Sequence, residues 1–259
     1  MKKTLLCAAA CAALVPPAFA QTAAAPASDH AFTGNLALVS DYRFRGISQT
    51  FRRPAVQGGF DYAHSSGFYL GNWNSSLSGV QYPDGAGLEM DFYGGYRFEA
   101  APGLTLDAGA LYYYYPGARI AGTSEKFNNT ELYIGASYKW FSAKYSYNVS
   151  DFFGLNNASA AAPNGDSKGS SYLDLGASFE IADKTTLGLH VGRQWVRNYG
   201  DLSYTDYKLG LTRDLGFATL GLALVGTDAD RDLYSVTNGR GKTRRLSDTT
   251  AVVTLAKSF

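Results

Sequence analysis

The stretch GLEMDFYGGYRFE at residues 87–99 decides the fold, because apolar and polar residues alternate along most of its length. Leu88 and Met90 belong to one face of such a strand, and Glu89 and Asp91 belong to the other. A half-buried strand of a soluble protein would show the same alternation, so this segment alone does not indicate a membrane protein. The repetition of the pattern along the chain does.

Segments of this kind recur about twelve times. The predicted strands are 32–44, 54–64, 68–78, 87–99, 104–115, 128–140, 141–150, 169–181, 185–197, 203–214, 218–227 and 247–259. The connections between them are alternately short and long, which is typical of a membrane barrel with tight turns at one end and long loops at the other. We therefore predict an all-β protein, a transmembrane antiparallel up-and-down β-barrel of about 12 strands with both termini in the periplasm.

A soluble β-sandwich or barrel is the competing architecture. It would gather its aromatic residues in a core, whereas many of the 19 tyrosines lie near strand ends, as Tyr145 and Tyr147 do. An outer-membrane barrel places an aromatic girdle there, at the level of the lipid headgroups. The chain also ends in Phe259, and a terminal aromatic residue is typical of the last strand of such barrels. The membrane barrel is therefore favoured.

The first 20 residues predict a signal peptide. Lys2 and Lys3 precede an apolar run at 5–15, and the run is followed by Ala-Phe-Ala at 18–20, a small-x-small cleavage pattern. We expect export through the inner membrane and location in the cell outer membrane.

Residues 21–31 are rich in Ala, Ser and Pro and predict a flexible lead-in, which leaves 32–259 for one barrel domain. Both cysteines, Cys7 and Cys11, lie in the leader, so the mature chain has no thiol for a disulfide, a metal site or catalysis. The 23 Lys and Arg residues nearly balance the 22 Asp and Glu residues. This balance argues against nucleic acid as a partner.

The polar face of the strands predicts the lining of the lumen. The first-choice residues are Asp41, Arg43, Arg45, Asp61, Glu89, Asp91 and Arg97, and the set is completed by Asp107, Glu131, Lys144, Asp174, His190, Asp206 and Lys208. A lining with charges of both signs predicts a narrow channel for passive diffusion of small hydrophilic solutes or ions. A barrel of this width lies between filled eight-stranded and open sixteen-stranded barrels. A non-conducting structural or surface-interaction barrel is therefore the alternative.

Two long loops invite further predictions. By length, residues 151–168 are the best candidate to fold inward and constrict the lumen, but their Ala-rich run at 158–162 and Asn164-Gly165 are more typical of a mobile surface loop. The basic loop that contains Arg240, Arg244 and Arg245 favours contact with lipopolysaccharide phosphate or with solvent, and gating is the alternative. The expected partners are thus outer-membrane lipid, lipopolysaccharide and small solutes or ions, and the oligomeric state stays open.

No enzyme is predicted. A hydrolase needs a histidine within hydrogen-bond reach of its nucleophile, and the chain offers only His30, His64 and His190. His30 lies in the lead-in, His64 in a turn and His190 on the predicted luminal face. The acidic run at 228–232 could hold Ca²⁺ through oxygen atoms, but it also fits an ordinary surface loop. We predict no cofactor and no metal site.

The sequence SDYRFRGISQT at 40–50, followed by PAVQGGFDY at 54–62 and SGFY at 66–69, resembles the TorF-type family of predicted porins of proteobacteria. Close similarity covers roughly residues 36–73, and the remainder, including the ending KSF at 257–259, matches in general plan. The resemblance implies an outer-membrane barrel with a channel role and no family active site.

The residues of this first hairpin also have a simpler structural interpretation. Asp41 and Arg43 would share one side of the first strand, where they could pair with Asp61 and Gln57 on the returning strand. Such a pairing predicts a structural lock of the hairpin, and a solute site is the alternative.

Overall fold

The structure is a computed structural model and describes residues 28–259 of the chain. The predicted signal peptide at 1–20, its two cysteines and residues 21–27 of the predicted lead-in lie outside the described residues. Within 28–259 no helix is both long and apolar enough to cross a membrane.

Sixteen strands follow one another along the described chain. They are β1 His30–Val39, β2 Arg43–Phe44, β3 Ile47–Ser48, β4 Ala55–His64, β5 Phe68–Ser76, β6 Leu88–Ala101, β7 Leu104–Tyr114, β8 Asn129–Tyr138, β9 Phe141–Asn148, β10 Ser171–Ala182, β11 Thr185–Trp195, β12 Tyr204–Asp214, β13 Thr219–Thr227, β14 Ser235–Thr237, β15 Thr243–Arg245 and β16 Thr250–Ser258. Two single turns of 3₁₀ helix, Phe152–Gly154 and Gly200–Leu202, interrupt the long connections.

Twelve of these strands close into one antiparallel barrel, in the order β1-β16-β13-β12-β11-β10-β9-β8-β7-β6-β5-β4. The small hairpins β2–β3 and β14–β15 stand apart from it. The predicted barrel of about 12 strands is confirmed. Short turns and long connections also alternate as predicted, so the barrel has a turn end, where β1 begins and β16 ends, and a loop end.

The two faces of the wall differ in the expected way. On β8, Ile134 is 64% exposed and points outward, whereas Glu131 and Tyr133 point inward and are buried. Leu222 and Val253 on two other strands are likewise exposed. An apolar outer surface with polar residues inside is the arrangement of a barrel that contacts lipid, and it is the reverse of a soluble barrel.

The barrel closes between its first and last strands. β1 and β16 pair over five residues, from Asn35 opposite Ser258 to Val39 opposite Thr254. At the turn end, Gly34 and Phe259 exchange both backbone hydrogen bonds, at 2.7 and 3.0 Å. A Cβ atom at Gly34 would lie 2.8 Å from the Phe259 ring, so glycine is needed for the terminal aromatic residue to cover the seam.

The first strand is shorter than the predicted 32–44. It begins at His30 and ends at Val39, and after Ser40, whose amide donates to Val253 of β16, the chain leaves the wall and enters the lumen. The cause is that Asp41 and Arg43 find their hydrogen-bond partners inside the barrel and not along a neighbouring wall strand. The other barrel strands agree with prediction to within a few residues.

Candidate functional site

Residues 40–54, which connect β1 to β4, form a plug inside the barrel at its loop end. The hairpin β2–β3 lies at its centre and reverses direction at Arg45 and Gly46, both of which have positive φ angles of 46° and 82°. Two positive φ values are typical of the type I′ turn that closes a two-residue hairpin. Nearly all side chains from Asp41 to Phe51 are buried.

The plug is tied together by a buried ion pair. Arg43 donates through Nε to Asp41 at 2.7 Å, and Ser48 and Thr50 also donate to the Asp41 carboxylate, at 2.6 and 3.2 Å. Arg43 Nη1 donates further to the carbonyl oxygens of Gly46 and Leu246, at 3.0 and 2.9 Å. A buried charge is tolerated only with such compensation.

The predicted pairing of Asp41 and Arg43 with the returning strand is therefore wrong. In the β1–β4 register Asp61 lies opposite Thr33, and Gln57 lies opposite Ala37. Asp61 is instead hydrogen-bonded by Tyr93 of β6. The structural lock exists, but it lies within the plug and not between the two wall strands.

The Arg45 side chain connects the tip of the plug to the opposite wall of the barrel. Its Nη2 donates to both carboxylate oxygens of Glu131 on β8, at 2.9 and 2.7 Å, and its Nη1 donates to Gln194 on β11 at 2.8 Å. The guanidinium carbon also lies 4.1 Å from the centre of the Tyr172 ring and 4.7 Å from that of Phe44. One arginine thus joins three wall strands to the tip of the plug.

Aromatic residues hold the sides of the plug. The Tyr42 hydroxyl donates to Glu89 at 2.6 Å, and its ring meets the edge of Trp73 at 5.4 Å between centroids. Phe44 packs edge-to-face on Tyr113 and on Phe153, both at 5.6 Å. The plug is therefore wedged between opposite parts of the wall.

The long loop 149–170 does not constrict the lumen in the way that its length predicts. Residues 40–54 occupy the lumen, because their buried polar groups have partners there, and the long loop contributes chiefly Phe153, which packs on Phe44 and Tyr113. The inward fold of 151–168 that length alone favours is thus not found for most of the loop. Length alone favours a loop that can reach inward, but the partners decide which one does.

Two outer loops cover the plug from above. In the loop 228–249, Arg244 Nη1 donates to the carbonyl oxygens of Phe51 and Arg52, each at 2.6 Å, and Phe51 is fully buried in the cluster that also contains Leu246. In the loop 77–87, Tyr82 donates to Gln49. Burial, followed by the charge of Glu89, raises the pKa of the Tyr82 phenol, so this donor keeps its proton.

Nearer the turn end than the plug, the lumen keeps ionisable side chains that are only partly buried. His190 on β11 lies between two carboxylates, with Nδ1 3.0 Å from Asp174 and Nε2 2.8 Å from Asp206. The side chains of His190 and Asp174 are 18% and 31% exposed. Lys144 and Lys208 lie on the strands beside them, opposite Asp174 and His190 respectively.

A second charged group lies on the other side of this lower lumen. Arg97 pairs with Asp107 at 3.0 Å, and the Tyr69 hydroxyl donates to the same carboxylate at 2.6 Å. Tyr69 and Tyr133 share a further hydrogen bond of 2.5 Å. Strands β6 and β7 on one side of the barrel and strands β9 to β12 on the other therefore all carry charged side chains that point into the lumen.

The fourteen predicted lining residues separate into two levels. Those buried at or beside the plug are Asp41, Arg43, Arg45, Glu89, Asp91, Glu131 and Asp206, and those partly buried nearer the turn end are Asp61, Arg97, Asp107, Lys144, Asp174, His190 and Lys208. Between the levels is a cavity of about 20 Å³, which is roughly the space for one water molecule. That the fourteen line a conducting path stays a prediction.

Some important residues are not among the fourteen predicted ones. Tyr172 and Gln194 share the inward face with Asp174 and His190, so the alternation of the strands could have found them. Tyr42 could not be found in this way, because it lies beyond the point at which the chain leaves the wall. Among residues 28–259 no group of three or more His, Cys, Asp and Glu side chains is arranged to hold a metal ion.

A closed twelve-stranded barrel with an apolar outer surface, a charged interior and an inward-folded segment has the architecture of porin-type β-barrels. The chain belongs to a family described as a bacterial protein of unknown function (Gcw_chp), whose family model matches residues 23–259. The narrower TorF-type label is not confirmed by this match.

Solved structures with the same architecture include the KdgM porin, at 9% identity and a TM-score of 0.52, covering 88% of this chain and 99% of that one. The NanC porin is similar at 12% identity and a TM-score of 0.53, covering 87% and 98%. At these identities the likeness establishes the fold. A sequence comparison with curated proteins finds no match.

Proposed function

We propose that this protein is a porin-type channel of the cell outer membrane, through which small hydrophilic solutes or ions diffuse passively along a narrow, charged lumen. The loop end would face the outside of the cell and the turn end the periplasm, as in other barrels with this loop asymmetry. Lipid and lipopolysaccharide would surround the apolar outer face.

One observation carries the proposal: the ionisable residues nearer the turn end are partly exposed inside the barrel. His190 and Asp174 keep 18% and 31% of their side-chain surface open, and Arg97 and Asp107 keep 20% and 14%. Charged groups of both signs that keep contact with water suit a hydrated path for polar solutes. A barrel that served only as a scaffold would need no such hydrated interior.

The plug makes this channel narrow. Residues 41–51 fill the lumen at the loop end, so passage requires either movement of the plug or a path beside it. Solutes would therefore be selected first by size and then by charge.

The proposal is tested by solute flux into proteoliposomes, with neutral sugars of increasing size. The matched comparison is a plugless chain in which residues 40–54 are replaced by Asn-Gly. Val39 pairs with Ala55 in the barrel, so a two-residue turn can join β1 directly to β4. We expect the native protein to admit only the smallest sugars and the plugless chain to admit larger ones.

A non-conducting barrel is the second candidate, and it is favoured by the number of hydrogen bonds that hold the plug to the wall. Arg45 alone reaches Glu131 and Gln194 through three hydrogen bonds. Flux through the plugless chain with none through the native protein would favour this second candidate. Flux through neither would overturn the channel proposal.

A further inference from the structure

The barrel wall has a groove at the loop end of its seam. β1 pairs with β16 only as far as Val39, whereas β16 begins at Thr250 and pairs there with β13. Because the chain enters the lumen after Ser40, whose amide still donates to Val253 at 2.9 Å, the loop end of β16 at Thr250 and Ala251 faces a gap in the wall. The seam groove, as we call it, has a volume of about 790 Å³ and is lined by Ser40, Thr250 and Ala251 of the wall and by Arg52, Arg244 and Arg245 of the loops.

The arginines of the seam groove are not fully neutralised by nearby acids. Asp248 is shared, since Arg52 lies 3.3 Å and Arg231 3.5 Å from its carboxylate. Arg244 uses Nη1 for two backbone carbonyl oxygens, which carry no net charge. The Arg245 side chain has no hydrogen-bond or ion-pair partner among the residues described and is exposed.

The other acidic residue at the groove, Asp41, does not neutralise these arginines. Asp41 is 3% exposed and is already paired with Arg43 at 2.7 Å. The groove therefore carries a net positive charge in a concave site open to the outside of the barrel, which suits a phosphate group, because arginine matches phosphate with paired N–H donors.

The surface directly below the seam groove is apolar. Leu38 of β1 and Val253 of β16 point outward, at 55% and 48% exposed, and Leu36 and Leu255 continue the same strip toward the turn end. A ligand whose phosphate occupied the groove would have this strip beside its remaining atoms. Hydrocarbon chains are the groups that gain from such a contact.

We propose that the seam groove binds the phosphate group of a lipid in the outer leaflet, with the acyl chains along the strip formed by Leu36, Leu38, Val253 and Leu255. The site rests on the proposed orientation of the barrel and not on whether the lumen conducts. A phosphorylated glycolipid such as lipopolysaccharide carries both the anionic group and the chains. Free phosphate would satisfy the arginines but not the apolar strip.

The test is binding of lipopolysaccharide without its O-polysaccharide to the full-length mature barrel in detergent, measured by native mass spectrometry and titration. Arg245→Gln removes a side chain that holds nothing else in place, and Arg244→Gln removes one that also contacts the plug. Arg240→Gln is the matched control, because Arg240 is an exposed arginine of the same loop outside the groove. Folding of each variant is checked by the mobility of the unheated barrel in gels.

We expect Arg245→Gln to weaken binding about tenfold and the Arg244→Gln and Arg245→Gln pair to weaken it further, since each removes a charge-assisted contact. Arg240→Gln should bind as the native protein does, and dephosphorylated lipid should bind at least about tenfold more weakly. Equal binding of phosphorylated and dephosphorylated lipid, or equal losses in Arg240→Gln and Arg245→Gln, would overturn the proposal. Inorganic phosphate that binds as tightly as the lipid would show a phosphate site without a lipid role and would overturn it too.

Discussion

Replacing Arg45 by Met should release the plug while leaving the barrel closed. The side chains of Arg45 and Glu131 are 5% and 1% exposed. The substitution removes every hydrogen bond of the Arg45 guanidinium but keeps an apolar chain of similar length. Loss of one partner from a buried ion pair costs about 3–5 kcal/mol, because the other charge stays buried and unpaired. Opening the plug hydrates Glu131, so this cost favours the open state by a factor of about 10²–10⁴.

Hydrogen exchange measures that opening directly. The amides of Ser48 and Gln49 are bonded to the carbonyl oxygens of Leu246 and Tyr42, at 3.0 and 2.8 Å, so they exchange only when the plug moves. Both should exchange about 10²–10⁴ times faster in Arg45→Met. Amides in the middle of β8 should be unchanged, which would separate release of the plug from loss of the barrel.

A double-mutant cycle with Glu131→Gln tests the cause. Each single variant leaves one buried partner without its counterpart, whereas the double variant Arg45→Met/Glu131→Gln leaves no unpaired charge. The plug amides of the double variant should therefore exchange more slowly than the sum of the two single effects predicts. The difference corresponds to a coupling free energy between Arg45 and Glu131 of about 2 kcal/mol or more. Additive effects, or an Arg45→Met plug that exchanges at the native rate, would refute this reasoning. Arg240→Met is the control for loss of an arginine elsewhere.

Three further predictions concern the hinge of the plug, the lipid face and the lumen. In Gly46→Ala, the added Cβ would lie 2.3 Å from Thr227 Cγ2, and the backbone φ of 82° is unfavourable for alanine. We expect this to destabilise the closed plug by about 1–3 kcal/mol, so the plug amides should exchange hydrogen about one to two orders of magnitude faster. Ile134→Arg places a charge on the exposed middle of β8 and should cost about 2–4 kcal/mol of folding free energy in lipid vesicles, whereas Leu233→Arg in an outer loop should cost little. Lys144→Gln removes a luminal positive charge and should shift the reversal potential in a salt gradient toward cation preference.

Each of these has a contrary result. Gly239 has open space around it, so equal effects of Gly46→Ala and Gly239→Ala would remove the steric explanation. Equal folding energies for Ile134→Arg and Leu233→Arg would contradict the lipid-facing position of β8. An unchanged reversal potential would remove Lys144 from the ion path.

The wall of the barrel could be predicted from the sequence because its information is local. Alternation at period two assigns both the strand and the face of each residue, as for Glu131 inward and Ile134 outward, and the short turns set the order of pairing. Closure between β1 and β16 follows from the even strand count. These features depend on neighbours in the sequence.

The plug could not be predicted in this way. Residues 40–45 continue the alternating pattern of the first strand, so Asp41 and Arg43 resemble two more wall positions. What draws this segment inward are partners far along the chain, such as Leu246 for Arg43 and Glu131 for Arg45. A local pattern carries no record of those contacts, and the seam groove, which exists because β1 ends early, was hidden for the same reason.

The most direct measurement is the single-channel conductance of the native protein and of the plugless chain in planar bilayers. The central claim is that residues 40–54 narrow a channel that the barrel itself provides. We predict small steps for the native protein, larger steps for the plugless chain and intermediate behaviour for Arg45→Met. Steps of equal size in the native and plugless proteins, or no steps in either folded protein, would contradict the claim.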